Sequence, residues 1–208
     1  MFTYSQYGEE EILLNFFEQK QGGVVVDVGA CDGLTYSNSR FLIHHLAWRG
    51  LLVEPHPEFF SNLERLYEND DNVCIRNVAC FDEETTVDFH IFSEGIDSCA
   101  STISEEFKQK MIGAYGDKFK KEPIKVQAVT LKSLLSEYDH VDFLSVVCEG
   151  VDMKVLRSND WSKNRPSLVC VEHSMDEDEL KDFIQSIGYV EYAKNAGNTF
   201  FRPEPKEL

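Results

Sequence analysis

Residues 24–33 have the sequence VVVDVGACDG. Four valines within five residues predict a short strand that is buried on both faces, as in the centre of a parallel sheet. The two glycines that follow allow a sharp turn, which brings backbone N–H groups close to a ligand. Apolar residues then recur near helical spacing over residues 41–48, after candidate caps at Ser37 and Asn38. Strand, glycine turn and helix in this order predict the ligand-binding corner of an open α/β sheet.

The same residues would also suit a tight turn without a ligand, and Gly29 and Gly33 lack the G-x-G-x-x-G spacing of dinucleotide-binding folds. The next predicted strand supplies an independent signal. Its apolar residues 51–53 end in Glu54, about 20 residues beyond the turn, where an acid can hold both ribose hydroxyls. Asp27 and Glu54 are acids at the ends of two adjacent predicted strands. Hydrophobic packing alone does not readily explain acidic side chains at both positions. The pattern therefore indicates a ligand that carries a nucleoside.

Short motifs follow one another along the rest of the chain. They are YSQYGE at 4–9, DVGACDG at 27–33, YSN at 36–38, WRG at 48–50, EPHP at 54–57, and VDFLS at 141–145 leading to EGVD at 149–152. Their order and combination resemble the FkbM family of S-adenosylmethionine-dependent methyltransferases, and the resemblance extends from residue 4 to about residue 201. It implies transfer of a methyl group to a hydroxyl of a sugar, a glycan or a small metabolite.

The resemblance also implies a fold. We expect one class I methyltransferase-like (Rossmann-like) α/β domain over residues 1–208, with a mostly parallel twisted sheet, helices on both faces and an antiparallel hairpin at one edge. Residues 189–193 and 199–201 are the candidates for that hairpin. Residues 73–79 and 86–92 predict a second hairpin, and residues 175–185 predict a helix. The irregular stretch 93–122 is either a lid over the substrate or a surface insertion.

On the same resemblance, the cofactor would be S-adenosylmethionine. Its methionine and ribose portions would lie against the glycine turn, its ribose hydroxyls against Glu54 and its adenine near the end of the third strand. The predicted cofactor-binding residues are Gln6, Asp27, Gly29, Ala30, Asp32, Gly33, Ser37, Asn38, Glu54, Pro55, Asn77 and Val78. Gln6 could equally be an ordinary loop amide, and Asn77 and Val78 could end a strand without touching a ligand.

Two residues are candidates for catalysis. His173 follows a predicted core strand and has the best intrinsic pKa for a general base, although a histidine at a strand end is often only a polar edge residue. Glu149 follows another core strand and could anchor the cofactor, orient the acceptor or act as the base. Ligands of open α/β sheets bind beyond the carboxyl ends of the strands, so these side chains are expected near Asp27 and Glu54.

One position departs from the family pattern. Val147 stands where the family usually has an aspartate, two residues before the glutamate. The alternative function is therefore a cofactor-binding module of the same fold with impaired catalysis. The substitution also removes a candidate ligand for a divalent cation, so a metal-free site is favoured over a site built on Glu149, Asp152 and Glu172. A nucleotide-dependent oxidoreductase is disfavoured because the glycine fingerprint is missing.

Composition narrows the partners. The chain has 208 residues, 42% of them hydrophobic, and a formal net charge of −17. Such acidity argues against nucleic acid and anionic membrane surfaces as partners and favours a small-molecule or carbohydrate acceptor. The six cysteines form no C-x-x-C pair, and several lie in apolar strand patterns, so we expect reduced thiols. With no signal-peptide pattern and no membrane-spanning run, the expected location is the cytoplasm. The oligomeric state stays open, a homodimer included.

Overall fold

The computed structural model describes residues 4–173 and 177–205. Within these ranges the chain forms ten strands: β1 (Val24–Val28), β2 (Arg49–Val53), β3 (Val73–Arg76), β4 (Ala79–Phe81), β5 (Thr85–Phe89), β6 (Ile124–Thr130), β7 (Phe143–Val146), β8 (Leu168–Glu172), β9 (Tyr189–Lys194) and β10 (Asn198–Pro203). The α-helices are α1 (Glu9–Phe17), α2 (Arg40–Leu46), α3 (Pro57–Leu66), α4 (Glu105–Tyr115), α5 (Leu131–Leu135), α6 (Asp152–Arg157) and α7 (Glu177–Ser186), and a 3-10 helix spans Gly95–Ala100.

Seven strands form the main sheet in the order β3-β2-β1-β7-β8-β10-β9. The first five are parallel to one another, and β10 runs antiparallel to both β8 and β9. Every residue of β1 is buried, as the run of valines predicts for a central strand. The expected mostly parallel sheet with an antiparallel edge hairpin is confirmed.

Helices cover both faces of this sheet, because successive residues of a strand point to opposite sides. Val25 packs in a cluster with apolar residues of α1, α2 and α3. Its neighbours Val24 and Val26 pack in a second cluster with residues of α5, α6 and α7. Part of the predicted helix 175–185 lies outside the described residues, and α7 covers the remainder. No helix in the described ranges is both long and apolar enough to span a membrane.

A separate three-stranded sheet, in the order β4-β6-β5, corrects one expectation. The alternating residues 73–79 do not form one strand, because β3 ends at Arg76 and the Asn77 side chain donates hydrogen bonds to the carbonyls of Glu54 (2.9 Å) and Pro55 (3.3 Å). The predicted hairpin with residues 86–92 is also wrong, since β5 pairs with the distant β6. Alternation identifies a strand but not its partner.

The insertion 93–122 joins β5 to β6 and contains the 3-10 helix and α4. Isolated bridges between His90 and Thr102 and between Phe92 and Phe119 pair it with the residues that follow β5. It also carries Cys99, which forms a disulfide with Cys31, 68 residues earlier, at a Cα–Cα distance of 5.9 Å. The expectation that all six cysteines are reduced is therefore wrong for this pair, which the fold brings together without any local motif.

Candidate active site

A cleft lies beyond the carboxyl ends of β1, β2, β7 and β8, where open α/β sheets bind their ligands. It contains about 1080 Å³ of empty space, including open solvent at its mouth. Ten of the residues predicted for the site line it: Gln6, Asp27, Gly29, Ala30, Ser37, Asn38, Glu54, Pro55, Val78 and Glu149. The structure thus brings most of the predicted residues to one place.

The turn after β1 is wedged between its two neighbouring strands. The Gly29 N–H donates to the carbonyl of Val53 at the end of β2 (2.9 Å). On the other side, a Cβ on Gly29 would lie 1.9 Å from the carbonyl oxygen of Val147, just after β7. Since Gly29 also has a φ of +86°, only glycine fits here. The close approach fixes the floor of the cleft.

Two buried carboxyl groups flank this turn. Asp27 accepts a hydrogen bond from the Ser39 hydroxyl (2.6 Å), and burial raises the pKa of Asp27 above its usual value. Glu54 accepts backbone N–H groups from Cys31 (2.9 Å) and His56 (2.7 Å). Burial, with a smaller effect of the nearby Asp27 carboxylate, raises the pKa of Glu54 to about 8. Both groups therefore favour the protonated form more than ordinary carboxyls do.

Glu149 stands at the opposite side of the cleft, after β7. It has a left-handed φ of +49°, which is uncommon for a residue other than glycine and often occurs at functional sites. Asp152 stabilises this turn by accepting the backbone N–H of Cys148 (2.8 Å) and of Gly150 (3.3 Å). Burial, followed by the charges of Glu172 and Asp152, raises the pKa of Glu149 well above its usual range.

Three predicted cofactor residues do not line the cleft but support its walls. Asp32 accepts the N–H groups of Leu34 (2.9 Å) and Thr35 (2.7 Å) and so closes the turn. Gly33 packs so closely that a Cβ would lie 2.4 Å from Leu63 of α3. Asn77 holds the chain after β2, as described above.

His173 lies outside the cleft as well. It lines a small neighbouring cavity, where its Nε2 is 2.7 Å from the Thr199 hydroxyl. The preceding residue, Glu172, lines both this cavity and the cleft. The structure therefore does not bring the predicted histidine base to the predicted cofactor residues.

Sequence reasoning missed a polar cluster at the N-terminal side of the cleft. The Glu9 carboxylate is completely buried and accepts hydrogen bonds from the side-chain amides of Asn195 (2.8 Å) and Asn198 (2.7 Å) and from the Tyr7 N–H (2.9 Å). Although burial acts to raise it, hydrogen bonds, foremost those from the Tyr7 N–H and the Asn195 amide, hold the pKa of Glu9 below its usual value. Glu9 lies in the YSQYGE motif, and this motif could have identified it as a site residue. Acids are common in the first turn of a helix, so its position in α1 gave no reason to single it out.

Asn198 leaves a buried hydrogen-bond acceptor open at the cleft. Its side chain is buried and lines the cleft, yet its Oδ1 accepts no hydrogen bond from the part of the chain that the structure describes. A buried acceptor without a donor is costly unless another molecule supplies one. The cleft is therefore suited to a ligand that carries N–H or O–H groups. Among the described residues, no group of His, Cys, Asp and Glu has an arrangement that could hold a metal ion.

The comparisons with known proteins agree with this geometry. The family model described as Methyltransferase FkbM domain matches residues 27–197, which is most of the chain. Among solved structures, methyltransferase FkbM from Methylobacillus flagellatus KT matches with a TM-score of 0.56 at 15% identity, over 88% of this chain and 44% of that one. The METTL16 MTase domain matches with a TM-score of 0.54 at 12% identity, over 94% of this chain and 65% of that one.

At these identities the structural likeness shows the fold alone, and the chain spans less than half the length of the Methylobacillus protein. No curated protein matches the sequence significantly. The strand order, the acids at the carboxyl ends of β1 and β2 and the family match over most of the chain are consistent with one another. The chain belongs to the FkbM methyltransferase family.

Proposed function

We propose that this protein transfers a methyl group from S-adenosylmethionine to a hydroxyl of an uncharged sugar, glycan or small metabolite. The observation that carries the proposal is the cleft itself, with Asp27 and Glu54 at the carboxyl ends of β1 and β2 in a chain of a methyltransferase family. S-adenosylmethionine is the cofactor of methyltransferases of this family and fold.

The residues of the cleft fit that cofactor. Glu54 would hold the ribose hydroxyls, with Pro55 and Val78 along the adenine. The buried, ionised Glu9 and the unpaired Oδ1 of Asn198 favour a group with positive charge or N–H donors, such as the methionine ammonium.

When bound, the cofactor supplies an electrophilic methyl group, so the protein must position the acceptor, exclude water and remove one proton. We assign the proton to the Glu149 carboxylate. The raised pKa of Glu149 means that its carboxylate, once ionised, binds a proton more strongly than an ordinary carboxylate does. The turn closed by Asp152 holds Glu149 in place, and the Thr102 hydroxyl, which donates to the Glu149 carbonyl (2.7 Å), supports it from the insertion.

The lining residues support an uncharged acceptor. None of the described residues around the cleft is a lysine, an arginine or a histidine. Five of them carry a carboxyl group: Glu9, Asp27, Glu54, Glu149 and Glu172. A phosphate or an acidic glycan would find no cation to pair with. Tyr7 and Tyr36 are 44% and 50% exposed at the cleft, and such exposed aromatic rings suit the apolar C–H faces of a sugar ring.

Calorimetric titration with S-adenosylmethionine and S-adenosylhomocysteine tests the proposal. We expect micromolar binding to the wild type and binding about tenfold weaker in Glu54→Gln, a loss of about 1.4 kcal/mol, because the variant loses one of the two ribose-binding oxygens. Glu64→Gln, an exposed position on α3, is the matched control and should bind as the wild type does. Absence of binding to both compounds in a folded wild type would overturn the proposal.

The impaired module remains the alternative because Val147 lines the cleft where the family has an aspartate. We expect Val147→Asp to change the affinity for S-adenosylhomocysteine less than threefold, since acids already surround the site and the Val147 backbone is fixed by its bond to the Val28 carbonyl (3.0 Å). The same titrations measure this. Binding of the cofactor without methyl transfer in the wild type, together with recovered methyl transfer in Val147→Asp, would instead favour the module.

A further inference from the structure

The Cys31–Cys99 disulfide joins two walls of the cleft. Cys31 belongs to the turn after β1, and its N–H donates to Glu54, the proposed ribose ligand. Cys99 belongs to the 3-10 helix of the insertion. Both cysteines line the cleft and both are partly exposed, so a small dithiol can reach the bond. The covalent link thus lies at the proposed cofactor end of the site.

The opposite end of the same segment reaches the proposed catalytic end. The Thr102 hydroxyl donates to the Glu149 carbonyl (2.7 Å). Phe107 of α4 packs against Gly150, so closely that a Cβ added to Gly150 would lie 2.7 Å from the Phe107 Cβ. Residues 95–103, which we call the strap, therefore cross the cleft from the cofactor turn to Glu149. Near Cys99, the Ser101 hydroxyl donates to the Ser98 carbonyl within the strap and accepts the N–H of Phe92, which follows β5. The disulfide attaches the strap to the cofactor turn itself.

We propose that Cys31 and Cys99 form a reversible dithiol–disulfide site, through which the redox state of the surroundings controls how firmly the strap covers the cofactor. This inference rests on the proposed function for its ligand. A dithiol reductant would attack one sulfur, form a mixed disulfide and then close to its own disulfide. The S–S bond accepts two electrons and two protons and becomes two thiols. In the cytoplasm, the location expected from the sequence, disulfides are usually transient or redox-sensing.

The other cysteines of the cleft do not compete for this exchange. Cys80 and Cys148 also line it, but burial raises the pKa of both thiols above the usual value. Only a thiolate attacks a disulfide, so these two remain inert near neutral pH. Oxidation of the reduced protein therefore returns to the Cys31–Cys99 pair.

Hydrogen exchange of the ligand-free protein tests the strap without reference to any cofactor. We expect dithiothreitol to accelerate amide exchange in residues 95–103 about tenfold or more, and Cys99→Ser to do the same without reductant. Cys74→Ser, which removes an exposed free thiol on β3, is the control and should exchange as the oxidised wild type does. Equal exchange of the strap before and after verified reduction would overturn the proposal.

Two further measurements complete the test. After equilibration with reduced and oxidised glutathione at cytosolic ratios, we expect the Cys31–Cys99 bond to be reduced, and glutathione disulfide should then restore it. If the bond resists this reduction in the folded protein, it is structural and the proposal fails. The dissociation rate of S-adenosylhomocysteine should rise about tenfold on reduction of the disulfide. An unchanged rate would refute the proposal that the redox state controls how firmly the strap covers the cofactor. If the strap responds but neither form binds the compound, the redox site stands and the proposed function fails.

Discussion

Gly29→Ala is expected to lower the free energy of unfolding by about 3 kcal/mol and to abolish binding of S-adenosylhomocysteine. The new Cβ would lie 1.9 Å from the Val147 carbonyl oxygen, which is backbone and cannot rotate away. The left-handed φ of +86° adds strain for any residue with a side chain. Relief requires β1 and β7 to separate, and this displaces the floor of the cleft. Urea unfolding followed by circular dichroism measures the loss of stability.

Gly113→Ala provides the matched control for this prediction. Gly113 lies inside α4, is exposed, and has open space where a Cβ would be placed. The same chemical change should therefore be neutral or stabilise the protein by about 0.5–1 kcal/mol, as alanine does in helix interiors. A loss below about 1 kcal/mol in Gly29→Ala would show that the strands separate easily, and the fixed floor of the cleft would be refuted.

Local patterns were sufficient to predict the centre of the fold. The run of valines, the glycine turn and the acid of Glu54 each depend on a few consecutive residues and on rules for strand ends, so their positions in the sheet and the cleft followed directly. The closing hairpin around 195–198 was predicted in the same way. Of the turn residues predicted to bind the cofactor, Gly29 and Ala30 line the cleft, whereas Asp32 and Gly33 support its walls.

The predictions that depended on distant partners did not succeed. The pairing of β5 with β6 and of Cys31 with Cys99 is set by how the insertion folds back, which no short window of sequence records. His173 lies one residue past β8, which ends at Glu172. Glu172 lines both the cleft and the neighbouring cavity, whereas His173 lines the neighbouring cavity alone. The role of Glu9 could not be predicted from its neighbours in sequence either, because its partners Asn195 and Asn198 lie in the distant closing hairpin.

The buried carboxyls of the cleft predict an unusual dependence of stability on pH. In the unfolded chain Glu54 titrates near its ordinary pKa of 4.5, whereas in the folded protein burial raises that pKa to about 8. Between these values the folded protein holds a proton that the unfolded chain has released. Unfolding therefore releases a proton, and the free energy of unfolding falls as pH rises through this window. One such group gives a slope of at most about 1.4 kcal/mol per pH unit.

Urea unfolding at intervals from pH 5.5 to 8.5, on the wild type and on Glu54→Gln, measures this slope. The amide cannot ionise, so we expect a smaller decline in the variant, while Glu64→Gln should follow the wild type. Asp27 and Glu149, whose pKa values are also raised, leave a residual decline in Glu54→Gln. Histidines with lowered pKa values, such as His56, act in the opposite direction below about pH 6.5, but they are common to all three proteins and cancel in the comparison. Equal slopes in the wild type and Glu54→Gln would mean that Glu54 is already ionised at neutral pH, and the protonated carboxyl between the glycine turn and His56 would have to be abandoned.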